Sequence, residues 1–567
     1  MNINPKYKIT LGTENFDYDN AVLQLYKISY PELSDSELDS FLAPSLRDIP
    51  DPSLFKDIGK SVSLFIDHFY KGNKILILGD YDVDGITATS MWVRFFKYIG
   101  HTNYTTFIPN RFKHGYGLSA KSFPDIIKHN PSLIITVDNG INSYTMVEKF
   151  KSLSIDVIVT DHHNIVQGET PDCLIINPKQ EDCGFPEKEI TGVGVAFLFI
   201  VELRRKLREL EFWNEERPEP NLAYDLDLVA MGTISDQAPL LGINRIFTYF
   251  GLRQIQKNYR ADNYQSFYSY LSALYKFYPL QNYNADNELI AFKISPLLNA
   301  AGRLENATIG VNFISANTDN EAKLILRRLD ALNKKRMKLQ TEMTETAKVI
   351  AANQELRKGF CITDPSFHEG LVGLIANKLN VDHKAPAIVF AESGETLKGS
   401  CRIPKGGSML RILERCKDFI VNYGGHDNAA GCEILKKNFD GFKKAYFEAI
   451  KPEIENIAAT QEENREVEIP NSLICPTFFE KIKSMEPHGV GNPRPIFTVK
   501  RMNLGRQSIV NNCLIKWALG NNVEAILWDK EPDKKYYSGM LDLSFEMKHN
   551  AHKGKGLQLI IKKIYSS

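Results

Sequence analysis

The sequence has no excess of charge and no closely paired cysteines, and each absence argues against a class of protein. Lys plus Arg and Asp plus Glu both number 69 in 567 residues. Bulk charge therefore does not indicate a nucleic-acid binder, and any such binding must come from a local basic groove. The eight cysteines include no C-x-x-C pair. This argues against a zinc ribbon and a disulfide framework, and it favours reduced thiols in a cytoplasmic protein.

Long hydrophobic runs are also missing. The start, "MNINPKYKIT", lacks the apolar core of a signal peptide. The longest apolar stretch, near "GVGVAFLFIV", is too short to span a bilayer. We therefore expect an intracellular protein with no membrane partner. The composition is that of a globular protein, with 43% hydrophobic and 24% charged residues. The length is suited to about three to four domains.

Apolar, β-branched-rich segments alternate with helix-like segments from Lys74 onward. "KILILGD", "SLIITVDNG" and "DVIVTDHH" each end in an acid. Continuous apolar strands separated by helices indicate a parallel α/β sheet. Functional groups of such sheets gather beyond the carboxyl ends of the strands. "LDLVAMGTISDQAPL" repeats the pattern, so we expect another strand that ends before Asp236.

Changes of pattern divide the chain into five parts. We predict an N-terminal helical segment (1–70), a first α/β unit (71–318), a bridging helix (319–356), a second α/β unit (357–458) and a small β-barrel, with the OB-fold as one possibility (465–567). The helix is predicted from its periodicity and its lack of internal Gly and Pro. A charged segment, "TQEENREVE", marks the edge of the barrel. Residues 255–290, rich in Tyr, Asn and Phe, are predicted to be helical.

Acids and histidines at the expected strand ends form one set. Its members are Asp80, Asp82, Asp84, Asp138, Asp161, His162, His163 and Asp236. Alternation in an extended "GDYDVDG" would point its three acids the same way. A solvated turn or a helix N-cap explains any one acid, but four such ends argue against independent caps. An EF-hand needs Glu at its twelfth position, where Met91 stands. Carboxylates and imidazoles are suitable ligands for Mn²⁺ or Mg²⁺.

The motifs "GDYDVDG", "VDNG", "TDHH" and "ISD" resemble those of the DHH phosphoesterase superfamily. Further motifs narrow the resemblance to the RecJ family of single-stranded-DNA-specific exonucleases. They are "PNRFKHGYGL", "TGVGVAF", "LNAAGRL", "HEGLVGLIANKL", "GGHDNAAG" and "EPHGVGNPRPIF". The resemblance runs from about residue 40 to the C-terminus. It implies a DHH domain, a DHH-associated substrate-binding domain and an OB-fold, joined by the long helix.

The resemblance also implies a site with two divalent cations, Mn²⁺ or Mg²⁺. The metal ligands it implies are Asp80, Asp82, Asp84, Asp138, His162 and Asp236. Asp138 matches the bridging carboxylate, Asp161 a group that orients His162, and His163 a group that faces the scissile phosphate. Water is then the nucleophile, and no side chain forms a covalent intermediate.

Basic and glycine-rich motifs supply the expected contacts to DNA or phosphate. They are Arg111, His114, Arg303, His368, Ser400, Arg402, Gly425 and His426. Each has a simpler explanation, such as a surface ion pair, a helix cap or a turn, and for His368 the cap and the contact are weighted equally. In the barrel, Phe497, Trp517 and Trp528 are candidate stacking platforms, although at least half of these aromatics are expected in the core.

The implied function is 5′-to-3′ hydrolysis of single-stranded DNA in recombination and repair. The implied partners are a single-strand-binding protein and a repair helicase. Two alternatives stay open: an oligonucleotide or cyclic-dinucleotide phosphodiesterase of the same superfamily, and a non-catalytic single-strand-binding scaffold. The length of the tail beyond residue 470 argues against the first, and the intact ligand set argues against the second.

Overall fold

The computed structural model describes residues 7–9, 18–115, 117–166, 168–259, 268–278, 285–352, 354, 358–459, 466–511, 513–520, 522–529, 531–532, 537, 539–550 and 556–565. Most of the charged segment expected as a linker (460–465), and parts of the segment 255–290, lie outside the described residues.

The N-terminal segment contributes one short strand and two helices to the C-terminal barrel. They are β1 (Tyr7–Lys8), α1 (Tyr18–Ser29) and α2 (Asp35–Leu42). Strand β1 pairs in parallel with Val467 and Glu468 of the barrel. Apolar residues of α1 and α2, including Leu25 and Phe41, are buried in the core of the barrel. The segment 1–70 is therefore not a single helical unit, because its first part packs on the barrel and its last helix packs on the first α/β domain.

The first α/β domain contains a five-stranded sheet surrounded by helices. Its elements are α3 (Ile58–Tyr70), β2 (Ile75–Gly79), α4 (Val83–Ile99), β3 (Tyr104–Phe107), α5 (Phe123–Ile127), β4 (Leu133–Val137), α6 (Tyr144–Ser152), β5 (Asp156–Thr160), β6 (Leu174–Ile176), α7 (Gly192–Glu209), α8 (Leu226–Ser235), α9 (Gly242–Tyr259), α10 (Ser269–Phe277), α11 (Asn287–Leu289), a π-helical turn (Ile290–Ile294), α12 (Ser295–Leu304) and α13 (Thr308–Ile314).

The sheet has the strand order β3-β2-β4-β5-β6, and all of its strands are parallel. Every residue of β2 and β4 is buried, as expected for continuous apolar runs covered on both faces. The order reverses direction between β2 and β4, and in open α/β sheets this is where ligands bind, beyond the carboxyl ends of the strands.

The segment before Asp236 is a helix, so the strand expected there is wrong. Helix α8 is buried along nearly its whole length against α4, α7 and α9. A helix that is apolar all round shows no 3.6-residue period, and its sequence cannot be told from a buried strand by pattern alone. Asp236 is nevertheless placed at the site, as the residue that ends α8.

Helix α14 (Asp319–Ala352) joins the two α/β domains. Its first half buries Leu326 and Leu329 in the core of the first domain. Its second half buries Met343 and Ala347 in the core of the second. The apolar residues of one continuous helix thus connect the two cores.

The second α/β domain has a five-stranded mixed sheet in the order β10-β11-β9-β8-β7. Its elements are β7 (Phe360–Thr363), α15 (Val372–His383), β8 (Ala387–Ser393), β9 (Thr396–Arg402), α16 (Met409–Arg415), β10 (Ile420–His426), β11 (Ala429–Leu435), α17 (Phe439–Ala449) and α18 (Lys451–Ala459). Strand β10 is an exposed edge that ends at His426.

The C-terminal domain is a barrel-like sheet of eight strands. Its elements are β12 (Glu466–Glu468), α19 (Pro476–Ile482), β13 (Ile496–Asn503), β14 (Gln507–Val510), β15 (Leu514–Gly520), β16 (Val523–Trp528), β17 (Met540–Asn550) and β18 (Gly556–Tyr565). The runs "PIFTVKRMNL", "CLIKWAL", "VEAILW", "MLDLSFEMK" and "GLQLIIKKIY" predict five of the strands, β13 and β15 to β18, and β1, β12 and β14 are additional. No helix in the described ranges is both long enough and apolar enough to cross a membrane.

Candidate active site

Three of the predicted acids follow strand positions that are paired with one another. Gly79 pairs with Val137, and Val137 pairs with Thr160. The next residue after each is an aspartate: Asp80, Asp138 and Asp161. The parallel register therefore brings these carboxylates to one edge of the sheet, where they are buried. Asp138 has a positive φ of 63°, a conformation that Asp tolerates better than most residues.

The other two acids of "GDYDVDG" are placed by helix geometry, so the expected extended alternation is wrong. Asp82 is the N-cap of α4, and its Oδ1 accepts from the amides of Asp84 (2.9 Å) and Gly85 (3.2 Å). The Asp84 carboxylate accepts from the amides of Gly192 (2.7 Å) and Val193 (2.9 Å), at the N-terminus of α7. That helix end stabilises the negative charge of Asp84.

The His162 ring lies among the carboxylates. Its Nε2 is 3.1 Å from Oδ1 of Asp138, 3.8 Å from Oδ2 of Asp84 and 3.9 Å from Oδ2 of Asp236. Burial, and then the positive charge of the neighbouring His163, lower the pKa of His162 to about 3. His162 is therefore neutral, as a metal-binding imidazole must be.

Asp161 orients His163, whereas the resemblance implies that it orients His162. Oδ1 of Asp161 accepts from Nδ1 of His163 at 2.7 Å and from the backbone amides of both histidines. Its Oδ2 accepts from the amide of Ile141 at 3.0 Å. Burial alone would lower the pKa of His163, but the hydrogen bond to Asp161 and the charge of that carboxylate raise it to about 9. His163 is thus a cation at neutral pH.

Four acids have raised pKa values because they are desolvated beside like charges, namely Asp80, Asp84, Asp138 and Asp236. Burial is the main cause for Asp80, Asp84 and Asp138, followed by neighbouring aspartates. Desolvation, and then the charge of Asp82, raise the pKa of Asp236 to about 7. Such a cluster lacks compensating positive charge, which a divalent cation supplies.

The residues present fit divalent cations. Three groups bring three potential ligand atoms within 4.8 Å of one another: Asp80 with Asp82 and Asp138, Asp84 with His162 and Asp236, and Asp138 with His162 and His163. The buried Oδ1 of Asp80 has no hydrogen-bond partner among the described residues. An unsatisfied buried carboxylate oxygen is costly unless a cation or donor meets it.

Arginines surround the Asp80 side of the cluster. The Arg111 guanidinium lies 4.1 Å from the ring centre of Tyr81. Arg303 donates to the carbonyl of Gly370 at 3.2 Å. Burial, and then the charges of Arg111, Arg336 and Arg402, lower the pKa of Arg303 to about 9. We call Arg111, Arg303 and Arg402 the arginine cluster. Guanidinium groups crowded in this way repel one another, and a bound anion such as phosphate would offset their charge.

Two predicted histidines are already engaged elsewhere. The His114 ring is buried, with Nδ1 accepting from the amide of Asn110 at 3.0 Å and Nε2 at 3.0 Å from Asp125. No ring nitrogen is left for phosphate. Nδ1 of His368 accepts from the amide of Gly370 at 3.1 Å, which supports the capping role, and the contact with phosphate through Nε2 stays a prediction.

The second domain brings its own residues to the cluster. The His426 ring centre lies 6.1 Å from that of His163. Gly425 has a φ of 132°, and a Cβ there would lie 2.6 Å from the Ala429 carbonyl, so only glycine suits this position. Ser400 and Arg402 both border Gly373, at the start of α15.

Two of the three barrel aromatics lie in the core, as expected for at least half of them. Phe497 and Trp517 are fully buried in the core of the barrel, because alternation along β13 and β15 points them inward. Trp528 is 64% exposed and is the one of the three that a base could reach.

Sequence reasoning missed Tyr81 and Lys179. Tyr81 lies within "GDYDVDG" but carries no charge. Lys179 interacts electrostatically with His162, Asp236 and His426. It follows Asn177, whose side-chain amide donates to the carbonyl of His163 at 3.1 Å. The short segment after β6 offers no motif, and only the fold brings it beside the histidines.

The parallel sheet with acids at its carboxyl edge, the paired histidines and the second α/β domain define a phosphoesterase of the DHH class. Family models match in the corresponding places: the DHH family N-terminal domain at residues 74–233, the DHHA1 domain at 355–452 and the RecJ OB domain at 466–563. The chain belongs to the RecJ family, which confirms the resemblance and the predicted fold class.

Relatives match nearly the whole chain. It is 33% identical, over 90% of both sequences, to the single-stranded-DNA-specific exonuclease RecJ of Salmonella typhimurium. It is 32% identical, again over 90% of both, to the protein of that name from Escherichia coli. Among solved structures, RecJ of Thermus thermophilus in complex with Mn²⁺ superposes with a TM-score of 0.77 at 25% identity, over 96% of this chain and 76% of that one.

Proposed function

We propose that the chain is a metal-dependent exonuclease that removes nucleotides from single-stranded DNA in the 5′-to-3′ direction. The observation that carries the proposal is the gathering of Asp80, Asp138, His162 and Asp236 into groups with cation-binding spacing beside the arginine cluster. The named activity and the Mn²⁺ of the relatives support the same assignment. The cation is Mn²⁺ or Mg²⁺.

The ligand groups divide between two cations. Asp80 and Asp82 would hold one, and Asp84 together with His162 and Asp236 would hold the other. Asp138 would serve both, because it shares one ligand group with Asp80 and Asp82 and another with His162. When bound, the pair of cations activates water and neutralises the charge of the phosphodiester.

The second histidine of the pair serves the substrate. Asp161 holds His163 in its charged form, and the centre of the His163 ring lies 6.1 Å from that of His426 in the second domain. We assign His163 to the scissile phosphate, because a fixed cation beside a phosphodiester stabilises the charge that develops on its oxygens. Asp161 is then a positioning residue.

The arginine cluster holds a phosphate of the strand. We expect Arg303→Gln to raise KM about tenfold while kcat changes less, because a charge-assisted hydrogen bond made in both ground and transition state is lost. Glutamine retains a donor for the Gly370 carbonyl. The measurement is steady-state kinetics on a 5′-labelled oligonucleotide.

The matched control is Arg328→Gln, since Arg328 is an exposed arginine paired with Glu305. Its KM should equal that of the wild type. An unchanged KM in Arg303→Gln as well removes the cluster from substrate binding. The difference between the two variants should shrink at high salt, because exposed charge interactions are screened.

End-directed attack on a single strand makes a further prediction. Linear single-stranded DNA should be degraded, whereas the same strand closed into a circle, and a blunt duplex, should resist. Gel analysis of the three substrates with Mn²⁺ checks this. Cleavage of the circle contradicts the exonuclease and indicates an endonuclease.

The parts of the chain take distinct roles in this proposal. Residues 71–318 carry the chemistry, 319–356 bridge, 357–458 hold the substrate and 465–567 bind the strand.

Degradation of dinucleotides but not of long strands would favour the superfamily phosphodiesterase, and binding without degradation would favour the scaffold. A cytoplasmic role in recombination and repair, with a single-strand-binding protein and a helicase, stays a prediction from the resemblance.

A further inference from the structure

A cavity of about 360 Å³ lies at the end of α8, next to Asp236 in the chain. Ser235 and Gln237, the neighbours of Asp236 in the chain, form one wall. The π-helical turn that contains Phe292 forms the second, and the loop His488–Val490, between α19 and β13 of the barrel domain, forms the third. Its volume lies in the range of pockets that hold a small ligand, roughly 300–1,000 Å³. The residues on both sides of Asp236 thus line this cavity.

The rim of this cavity is unusually apolar for a surface next to charged groups. Phe292 is 71% exposed and Val490 is 48% exposed. Phe292 makes no contact with another aromatic ring in the described part of the chain. An aromatic side chain exposed to this degree beside a catalytic cluster is a candidate stacking platform, because any base offers a π-face to it.

The cavity also has a polar group without a partner. His488 is only 7% exposed, and its Nδ1 has no hydrogen-bond partner among the described residues. Burial lowers the pKa of His488, so the ring is neutral and Nδ1 can donate or accept according to tautomer. Nδ1 is itself buried, so this ring contributes a polar wall to the cavity and not an exposed partner for a base.

The cavity walls are held in place across the domain boundary. The amide of Leu240 donates to the carbonyl of Val490 at 2.7 Å, and the side-chain amide of Asn287 donates to the carbonyl of His488. A Cβ on Gly489 would lie 2.6 Å from the Leu240 side chain, so the two loops are in close contact. Hydrogen bonds between the first domain and the barrel domain therefore hold the cavity walls together.

The charge around the cavity does not oppose a polyanion. Glu288 is the only carboxylate among the described lining residues. Its Oε1 is 2.5 Å from Nζ of Lys548 and 3.5 Å from a guanidinium nitrogen of Arg494, both on the barrel side. These two cations offset its charge.

The arginine cluster and the cavity adjoin different acids of the cluster. Arg111 stands beside Tyr81 and Asp80, whereas the cavity is lined by the two chain neighbours of Asp236. A strand that places its end phosphate at the arginines and its scissile phosphodiester at the acids would bring its next nucleotide toward the Asp236 end of the cluster. We propose that this cavity binds the base of the nucleotide that follows the scissile phosphodiester, stacked on Phe292. This inference rests on the proposed function.

The test uses linear oligonucleotides in which a single abasic nucleotide is moved stepwise from the 5′ end. Binding is measured by fluorescence anisotropy without metal, on the full-length protein. We expect the wild type to lose affinity about tenfold at one position near the end, the scale of one lost stacking contact. Phe292→Ala should bind the intact strand about tenfold more weakly than the wild type does. An abasic nucleotide at the sensitive position should not weaken its binding further.

The matched control is Leu324→Ala on α14, because Leu324 is 69% exposed but lies outside the cavity. It should behave as the wild type does. If the affinity of the wild type does not depend on the abasic position, the inference is overturned. It is also overturned if Phe292→Ala shows the same dependence as the wild type, a result that would favour a protein partner as the occupant of the cavity. If the wild type degrades no linear strand, the proposed function itself fails, and the degradation assay shows this independently of the binding measurements.

Discussion

Replacing Asp138 by asparagine is expected to reduce single-strand hydrolysis by roughly 10²- to 10³-fold, the scale of losing one preorganised electrostatic group. Asp138 contacts His162 at 3.1 Å and belongs to two of the ligand groups, so the loss of its charge weakens both cation sites. Asparagine keeps the shape and tolerates the φ of 63°. The measurement is a single-turnover cleavage rate, together with a calorimetric Mn²⁺ titration.

Folding and chemistry are separable in this variant. The removal of one of several crowded, buried carboxylates relieves repulsion, so the melting temperature without metal should not fall. The control is Asp172→Asn, an exposed aspartate paired with Lys151, which should change neither rate nor metal binding. A variant of Asp138 with wild-type Mn²⁺ affinity and rate contradicts the assignment.

Gly192→Ala is expected to reduce the cleavage rate about a hundredfold, although Gly192 has no functional group. A Cβ at this position would lie 2.6 Å from Cβ of Asp138 and 2.8 Å from its Oδ1. Either Asp138 or the N-terminus of α7 must move, and the amide of Gly192 also holds Asp84. Displacement of catalytic groups by about 1 Å can cost 10²-fold in rate. Single-turnover kinetics at saturating DNA measure the effect.

Gly59→Ala is the matched control, because a Cβ on this helical glycine meets nothing within 4 Å. Its activity should be unchanged, and its stability should stay the same or rise by about 0.5–1 kcal/mol from the better helix propensity of alanine. A fully active Gly192→Ala would mean that the tight contact with Asp138 does not position the carboxylate.

The sheet and its acids could be predicted from sequence because each strand is a continuous apolar run that ends in Asp. Asp80, Asp138 and Asp161 meet because the register aligns Gly79, Val137 and Thr160. A parallel α/β pattern already implies that arrangement. The residues of the cluster could therefore be predicted from the sequence, although their arrangement could not.

The geometry was not accessible, for local physical reasons. Asp82 and Asp84 belong to the start of a helix, and the helix takes its cap from the same acids whose spacing suggests an extended alternation. Helix α8 is apolar on all sides and so lacks the period that distinguishes a helix from a strand. Asp161 is directed to His163 because its carboxylate reaches that ring and both backbone amides at once.

The partners of single side chains could not be read from the chain either. Both ring nitrogens of His114 are engaged, by Asn110 and Asp125, so this ring is not available to a phosphate, and Nδ1 of His368 is engaged by Gly370. The cavity at Phe292 depends on three segments that are far apart in sequence, 234–240, 287–295 and 488–490, and none of them has a motif that predicts a cavity.

The most direct test of the central claim is a time course of a 5′-labelled linear single strand incubated with the full-length protein, with Mn²⁺ in one reaction and EDTA in the other. We predict that labelled mononucleotide appears from the first time point with Mn²⁺, with no labelled intermediates, and that nothing is released with EDTA. Release in EDTA, labelled fragments longer than a mononucleotide, or an intact strand in Mn²⁺ would each contradict the assignment.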